Sequence, residues 1–137
     1  MRDLALLALD RSTSLGATYA DVRLIESAER LISTKNGKVG QASSSETLGL
    51  GVRVIASGAW GFSATDEMTS EGVQTAATRA VEIARASSLV QKRDVALAPE
   101  QKHEAVWVSP VRIDPFTIPV DQTLSLLLAV EDRKSVV

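Results

Sequence analysis

The chain has 137 residues, which allows one ordinary domain or a small domain followed by the start of another. Apolar residues make up 45% and charged residues 23%, and the formal net charge of -2 argues against binding nucleic acid through bulk charge. No cysteine is present, which excludes disulfides and thiolate chemistry and favours a cytoplasmic location. No run reaches the roughly 20 apolar residues that a membrane span needs.

The N-terminal segment is predicted to form an amphipathic helix. Leu4, Leu7 and Ala8 recur at helical spacing, which favours a helix over residues 2–14 that ends at Gly16. A signal peptide fits the segment poorly, because charges interrupt the apolar run and no small-residue cleavage site follows.

A β-hairpin is predicted after this helix. In YADVRLIESAERLISTKNGKV, Val22 and Leu24 alternate with other residues, as in a strand with one imperfect buried face. Asn36-Gly37 is a strong signal for a two-residue turn, because both positions tolerate positive φ. A second strand is therefore expected from Lys38 into the serines at 43–45.

The next segment, ETLGLGVRVIASGAWGFSAT, combines glycines with alternating apolar residues. One strand face is predicted to carry Leu48, Leu50, Val52 and Val54, and the other Gly49, Gly51 and Arg53. A turn is expected at Ser57-Gly58, followed by a short returning strand. A dinucleotide fingerprint would need a third glycine where Val54 stands, and a phosphate loop would need Gly-Lys-Ser/Thr. The glycines are therefore predicted to permit close packing, or to mark a bulge, within a sheet.

A second helix is predicted after the sheet. Thr69 or Ser70 can cap its start, Glu71 lies favourably in its first turn, and it should end near residues 87–88. An apolar stripe recurs in steps of three and four, at Val73, Ala76, Ala77, Ala80 and Ala84. Because these side chains are small, the helix can lie close against the sheet.

The fold class expected from these elements is α+β: an antiparallel sheet of three to four strands with a helix before and a helix after it, followed by the first strand and helix of a second, incomplete domain. Residues 1–88 would form the N-terminal α+β domain and residues 89–104 a linker. Residues 105–131 would start an incomplete middle domain, with a strand in AVWVSPVRI and a helix from about Val120 or Asp121. In that helix the side chains expected to be buried are Leu124, Leu127, Leu128 and Val130.

The last six residues, DRKSVV at 132–137, are expected to be a non-native tail. Under this hypothesis the natural reading frame is interrupted near Glu131. An engineered domain boundary is the alternative explanation.

Two candidate chemical groups are weak. His103, the single histidine, precedes Glu104, but a zinc-protease motif needs a second histidine about one helical turn later. His103 is therefore interpreted as a surface residue in the linker. Asp66 and Glu67 are adjacent carboxylates, which in a strand point to opposite faces, so they are interpreted as a turn and helix lead-in rather than an acid–base pair.

Other polar and aromatic residues also have structural interpretations. The serines at 43–45 have no histidine that the sequence places beside them. Arg53 could form an ion pair or meet a ligand, and the ion pair is favoured. Trp60 and Phe62 share one strand face, which favours core packing or a subunit contact over a cofactor site. No catalytic, cofactor-binding or metal-binding residue is therefore assigned to this chain.

Several segments in order resemble the N-terminal domain of the TldD/PmbA family. They are GATYADVRL, NGKV and GLGVRVIASGAWGFSATDEMTSEGVQTAATRAVEIARAS. The later WVSPVRIDPFTIPVDQTLSLLL is similar to the segment that opens the family's middle domain, so the resemblance spans roughly Gly16 to Leu128. GVRV together with WGFSAT looks closer to the TldD branch than to the PmbA (TldE) branch.

The resemblance implies a zinc-dependent peptidase in which TldD-type and PmbA-type subunits pair and degrade or trim peptides. An older family label is modulator of DNA gyrase. The family's metal motif, His-Glu-x-x-x-His with a further cysteine ligand, belongs to the C-terminal domain. Zinc is therefore not expected in this chain, and no catalytic residue carries over. The implied roles are packing, a pairing surface for a PmbA/TldE-like subunit, and part of the wall around the peptide substrate.

Two other functions remain open at this point. The chain could be a freestanding protein-binding or assembly module, docking through its leucine-rich last helix. It could also act on DNA gyrase or nucleic acid, although the acidic balance counts against direct nucleic-acid contact.

Overall fold

A computed structural model describes residues 1–134, in which three helices accompany one three-stranded sheet. The elements in chain order are α1 (Arg2–Ser14), β1 (Tyr19–Lys35), β2 (Lys38–Ala56), β3 (Ala59–Thr65), α2 (Ser70–Ser88) and α3 (Val120–Lys134). A single 3-10 turn at Pro115–Thr117 precedes α3. The sheet order is β1-β2-β3, and β2 pairs antiparallel with β3. The expected α+β class, with a helix before and after an antiparallel sheet, is confirmed.

The chain divides into two structural units. The first comprises Met1–Ser27 and Thr47–Glu100, and therefore holds α1, the start of β1, the end of β2, β3 and α2. The second comprises Ala28–Glu46 and the chain from Gln101 onward, and therefore holds the far part of the β1–β2 hairpin and α3.

The core of the first unit joins one face of β2 to one face of α2. Leu50, Val52 and Val54 alternate along β2 and are fully or almost fully buried, as period-two patterning requires. On α2 the predicted stripe is buried throughout, at Val73, Ala76, Ala77, Ala80 and Ala84. From α1, Ala8 and Ser12 complete this core, and the Ser12 hydroxyl donates to the Ala8 carbonyl at 2.8 Å.

The two predicted tight turns are confirmed. Asn36 and Gly37 have φ of 54° and 70°, and Ser57 and Gly58 have φ of 51° and 76°. Two consecutive residues of positive φ are the signature of the type I′ turn, whose twist matches that of the flanking strands.

In the first unit, the end of α1 and the start of α2 both follow the sequence signals. Gly16 has a φ of 87° and follows the last turn of α1, where its N–H donates to the Thr13 carbonyl at 2.9 Å. At the start of α2, the Thr69 hydroxyl accepts from the Gly72 N–H at 3.0 Å, so Thr69 is the N-cap.

Gly61 explains how closely α2 approaches the sheet. A Cβ on Gly61 would overlap the carbonyl oxygen of Ala80 and lie 2.6 Å from the amide nitrogen of Ala84. Only a residue without a side chain fits between β3 and the helix backbone. The prediction that glycine serves close packing is therefore confirmed here, with the refinement that the close neighbour is α2 rather than another strand.

In the second unit, polar contacts join the hairpin to the segment around α3. The Arg30 guanidinium donates to the carbonyls of Ile118 at 2.9 Å and Phe116 at 3.2 Å. The Glu131 carboxylate accepts from the Thr34 hydroxyl at 3.0 Å and from the Gly37 N–H at 2.8 Å.

On α3 itself the expected burial is only partly realised. The leucines at 124, 127 and 128 are half-buried, whereas Val130 is 51% exposed and therefore not buried as expected. The polar contacts of Glu131 with the hairpin are therefore accompanied by only a modest burial of apolar side chains on α3.

Two sequence expectations about strands differ from the structure. The strand expected in AVWVSPVRI is not formed: Val106, Trp107 and Val108 are 92%, 81% and 79% exposed in an irregular segment. Alternating residues form a strand only where a neighbouring strand supplies hydrogen bonds. The serine segment at 43–45 and the stretch from 48 to 54, which were expected as separate strands, belong to one continuous strand, β2. The sheet therefore has three strands within residues 1–134, in agreement with the expected three to four.

The polar segment expected to be a linker, 89–104, has no helix or strand. Of the tail expected to be non-native, residues 135–137 lie outside the described residues. None of the helices within residues 1–134 has the length and apolar character needed to cross a membrane.

Candidate functional site

The pairing of β2 with β3 gathers six residues on the sheet face that points away from α2. Directly opposite partners share a face, and the pairs are Gly51 with Ala64, Arg53 with Phe62, and Ile55 with Trp60. The intervening residues Val52 and Gly61 belong to the helix-covered face. We call the six-residue surface, together with Tyr19, Asp21, Arg23 and Ile25 of β1, the open face.

Arg53 is the centre of a polar and aromatic cluster on the open face. Its Nε and Nη2 atoms each lie 2.7 Å from Oδ2 of Asp21, and its guanidinium lies 4.9 Å from the centroid of the Trp60 ring. Tyr19 meets Trp60 edge to face, with ring centroids 5.9 Å apart. The sequence interpretation of Arg53 as an ion-pair residue is confirmed.

The electrostatic consequence of this cluster is a firmly charged arginine. The hydrogen bond that Arg53 donates to Asp21, and then the negative charge of Asp21, raise the pKa of Arg53 above its ordinary value. Guanidinium is charged at all physiological pH values in any case, so the carboxylate orients Arg53 rather than switching it. The side chain is 43% exposed, which leaves part of the guanidinium open to solvent beside the indole ring.

An apolar groove of about 580 Å³ runs along the other half of the open face. Its lining includes Arg23, Ile25, Gly49, Gly51 and Phe62. Phe62 and Ile25 are 58% and 59% exposed, which is high for large apolar side chains that line the same groove. Exposed apolar residues clustered in this way are typical of interaction surfaces.

Glycine forms the floor of this groove. A Cβ on Gly51 would lie 3.1 Å from Cε2 and 3.2 Å from Cζ of Phe62, so the ring lies over a position that has no side chain. The Gly49 position is less confined, because a Cβ there would meet only the Thr65 carbonyl, at 3.6 Å. The sequence indicated that these glycines share a face with Arg53, but it did not indicate that Phe62 covers one of them.

The candidate chemical groups from the sequence do not assemble into a reaction centre. His103 and the serines at 43–45 are exposed, and among the hydrogen bonds of residues 1–134 none joins them. Glu67 accepts a hydrogen bond from the Thr69 hydroxyl at 3.2 Å, next to the cap of α2, which fits the interpretation of a helix lead-in. Asp66 lies at the end of the apolar groove.

The same part of the chain offers no donor set that fits zinc. Within residues 1–134, no three side chains of His, Cys, Asp or Glu come close enough together to hold a metal ion. The arrangement on the open face can bind and orient a partner through aromatic, aliphatic and guanidinium groups. It offers no paired acid and base for proton transfer.

Two comparisons with known sequences find similarity to metalloproteases. Residues 20–84 match the model of domain 1 of PmbA/TldA metallopeptidases. The metalloprotease MJ0996 of Methanocaldococcus jannaschii is 22% identical over 110 residues, which cover 80% of this chain and 24% of that protein. The chain therefore spans about a quarter of the length of this curated relative.

Solved structures include one with a similar fold. A Bacteroides thetaiotaomicron protein described as a modulator of DNA gyrase superposes with a TM-score of 0.73 at 17% identity, covering 96% of this chain and 30% of that one. TldE of Thermococcus kodakarensis gives a TM-score of 0.49 at 18% identity, covering 80% of this chain and 23% of that one. The first likeness establishes a shared fold.

Proposed function

We propose that the chain is the N-terminal, non-catalytic part of a TldD-like enzyme of the PmbA/TldD metallopeptidase family, because residues 20–84 match the model of domain 1 of PmbA/TldA metallopeptidases. In this proposal the enzyme degrades or trims peptides in the cytoplasm. Zinc and the reacting groups belong to a C-terminal domain, and residues 1–134 supply none of the chemistry.

The observation that carries the proposal is the open face. It joins exposed Phe62 and Ile25 to Arg53 and Trp60 on one continuous strand surface. Aromatic residues and arginine are the types enriched at protein–protein interfaces, where they form the few contacts that dominate affinity. We propose that this face pairs with a PmbA/TldE-like subunit and thereby forms part of the wall around the peptide substrate.

The pairing proposal is tested by introducing a charge at a residue that lines the apolar groove. Phe62→Asp should weaken binding of the full chain to the purified PmbA-type subunit from the same genome by about thirtyfold, because it introduces a carboxylate into an apolar contact. Leu6→Asp is the matched control, since Leu6 is 48% exposed on α1, away from the open face. Affinity is measured by isothermal titration calorimetry, with circular dichroism spectra confirming that both variants fold. Equal affinities for the two variants would reject this face as the pairing surface.

The non-catalytic part of the proposal has its own test. The full chain supplied with zinc should cleave neither denatured casein nor short peptides above the rate of buffer. Cleavage by the purified chain that a chelator abolishes would overturn the proposal.

The competing function is a freestanding protein-binding module. The observation that favours it is the exposed apolar run Val106–Val108 in the second unit, together with Leu126 at 66% exposure on α3. This candidate predicts that the chain binds no PmbA-type subunit through the open face, and that Trp107→Asp alone removes its binding to other proteins.

A further inference from the structure

Within residues 1–134, the outer edge of β3 is not paired with another strand. β3 is the last strand in the order β1-β2-β3, so one of its edges has no strand beside it within residues 1–134. The two-residue turn makes Ala56 and Ala59 a hydrogen-bonded pair, and the bonding then alternates along the strand. The Ile55 carbonyl, which accepts from Thr18 N–H at 2.8 Å on the β1 side, follows this alternation.

The alternation leaves three residues of β3 with outward-facing backbone groups. The N–H and C=O groups of Trp60, Phe62 and Ala64 point away from β2. No backbone hydrogen bond from a turn or loop of the described residues reaches them. An edge of this kind is a template onto which an extended backbone can add as a further strand.

A polar groove accompanies this edge. It has a volume of about 340 Å³ and lies between the last residues of β3 and α2, with Ser63, Thr65 and Thr75 in its walls. Unlike the groove on the open face, its lining is mostly polar. A peptide strand hydrogen-bonded to the edge would therefore have α2 beside it along one side.

The charged residues along this groove are acidic at one end and basic at the other. The lining includes Glu67 and Glu71 where β3 leads into α2, and Arg79 two turns further along the helix. Glu71 and Arg79 are eight positions apart on the helix, which corresponds to about 12 Å along the axis. An extended peptide of about four residues covers that length. No ion pair among residues 1–134 engages Glu67, Glu71 or Arg79.

The position of α2 decides between a second copy of this chain and a lone peptide. Gly61 touches the backbone of Ala80, so α2 lies over β3 itself. If two copies paired through β3, their helices would lie on the same face above strands about 4.8 Å apart, whereas packed helices need about 8–10 Å. The edge thus accepts a strand that carries no helix over this face.

We propose that the β3 edge binds a short peptide with free termini, extended and antiparallel to β3. Its α-amino group lies at Glu67 and Glu71, its α-carboxylate lies at Arg79, and its backbone bonds to Phe62 and Ala64. This site is distinct from the open face, and the inference does not depend on subunit pairing.

The test uses the full chain, labelled with ¹⁵N, and the tetrapeptide Val-Thr-Val-Thr with free termini. Addition of the peptide should shift the amide signals of Trp60, Phe62 and Ala64 in a saturable manner. Acetylating and amidating the same peptide should weaken its affinity by about fivefold, because two exposed charge pairs are lost. Signals that shift only on the open face, or equal affinities for capped and free peptides, would overturn the proposal.

Matched variants locate the binding at the edge. Ala64→Pro removes an outward-facing N–H that β2 does not use, and should weaken peptide binding about tenfold. Ala64→Val keeps that N–H and should leave affinity unchanged. Arg79→Gln, at an exposed position on α2, should weaken the binding of the peptide with free termini but not that of the amidated peptide. Equal affinities for the Pro and Val variants, or edge signals that depend on protein concentration and ignore the peptide, would reject the site.

Discussion

The two faces of the β2–β3 hairpin use the same strands in opposite ways. On the helix-covered face, Leu50, Val52 and Val54 are buried against the alanine stripe of α2. The residues next to them in each strand point to the open face, where Phe62 remains 58% exposed over a groove. Apolar character is therefore not a measure of burial in this sheet. One face stabilises the fold, and the other remains available for binding.

The largest expected effect comes from the glycine on the helix-covered face. Gly61→Ala should lower the free energy of unfolding by about 4 kcal/mol, because the new Cβ would overlap the Ala80 carbonyl and force β3 away from α2. Equilibrium urea unfolding of the full chain measures this change.

The matched control is a glycine on the other face. Gly49→Ala places a Cβ 3.6 Å from the Thr65 carbonyl, an ordinary contact, and should change stability by less than about 1 kcal/mol. Similar losses for the two variants would mean that the faces do not differ in how closely they are packed.

A second pair of variants compares large side chains on the two faces. Leu50→Ala should cost about 3 kcal/mol, since Leu50 is 1% exposed and its removal leaves a cavity in the core. Phe62→Ala removes a larger side chain, yet it should cost less than about 1 kcal/mol because the ring is largely in solvent already. Thermal unfolding followed by circular dichroism gives both values. A cost for Phe62→Ala as large as that for Leu50→Ala would show that the open face belongs to the core.

Much of the helix-covered face could be predicted from the sequence. The signals were local: the alanine stripe of α2, the cap at Thr69 and the Ser57-Gly58 turn depend on residues close together in the sequence. The Asn36-Gly37 turn of the second unit was predicted from the same kind of signal. Residues 20–84, which match the family model, include the helix-covered face. Local chemistry of this kind dictates backbone conformation with little help from the rest of the chain.

The features that the sequence did not predict depend on distant partners. Asp21 meets Arg53 across 32 positions of sequence, and Phe62 covers Gly51 from the neighbouring strand. Nothing in a single strand's pattern specifies which residue of the next strand lies beside it. The strand predicted around Trp107 was wrong for a related reason: the segment alternates as a strand does, but no neighbouring strand pairs with it.

The smallest expected effect tests the contact between Phe62 and the floor of the groove. Gly51→Ala brings a Cβ to 3.1 Å from the far end of the Phe62 ring, which can rotate out at a cost of about 0.5 kcal/mol. In the Phe62→Ala background the same substitution meets no ring, and the alanine should then be neutral or slightly stabilising because it restricts the unfolded chain. The double-mutant cycle should therefore give a coupling energy of about 0.5–1 kcal/mol between positions 51 and 62. A coupling energy of zero would mean that the ring does not rest on Gly51 in solution. The apolar groove would then be wider and shallower than the one described above. A measured coupling would instead show that glycine at position 51 holds Phe62 over the sheet, where a pairing subunit can contact it.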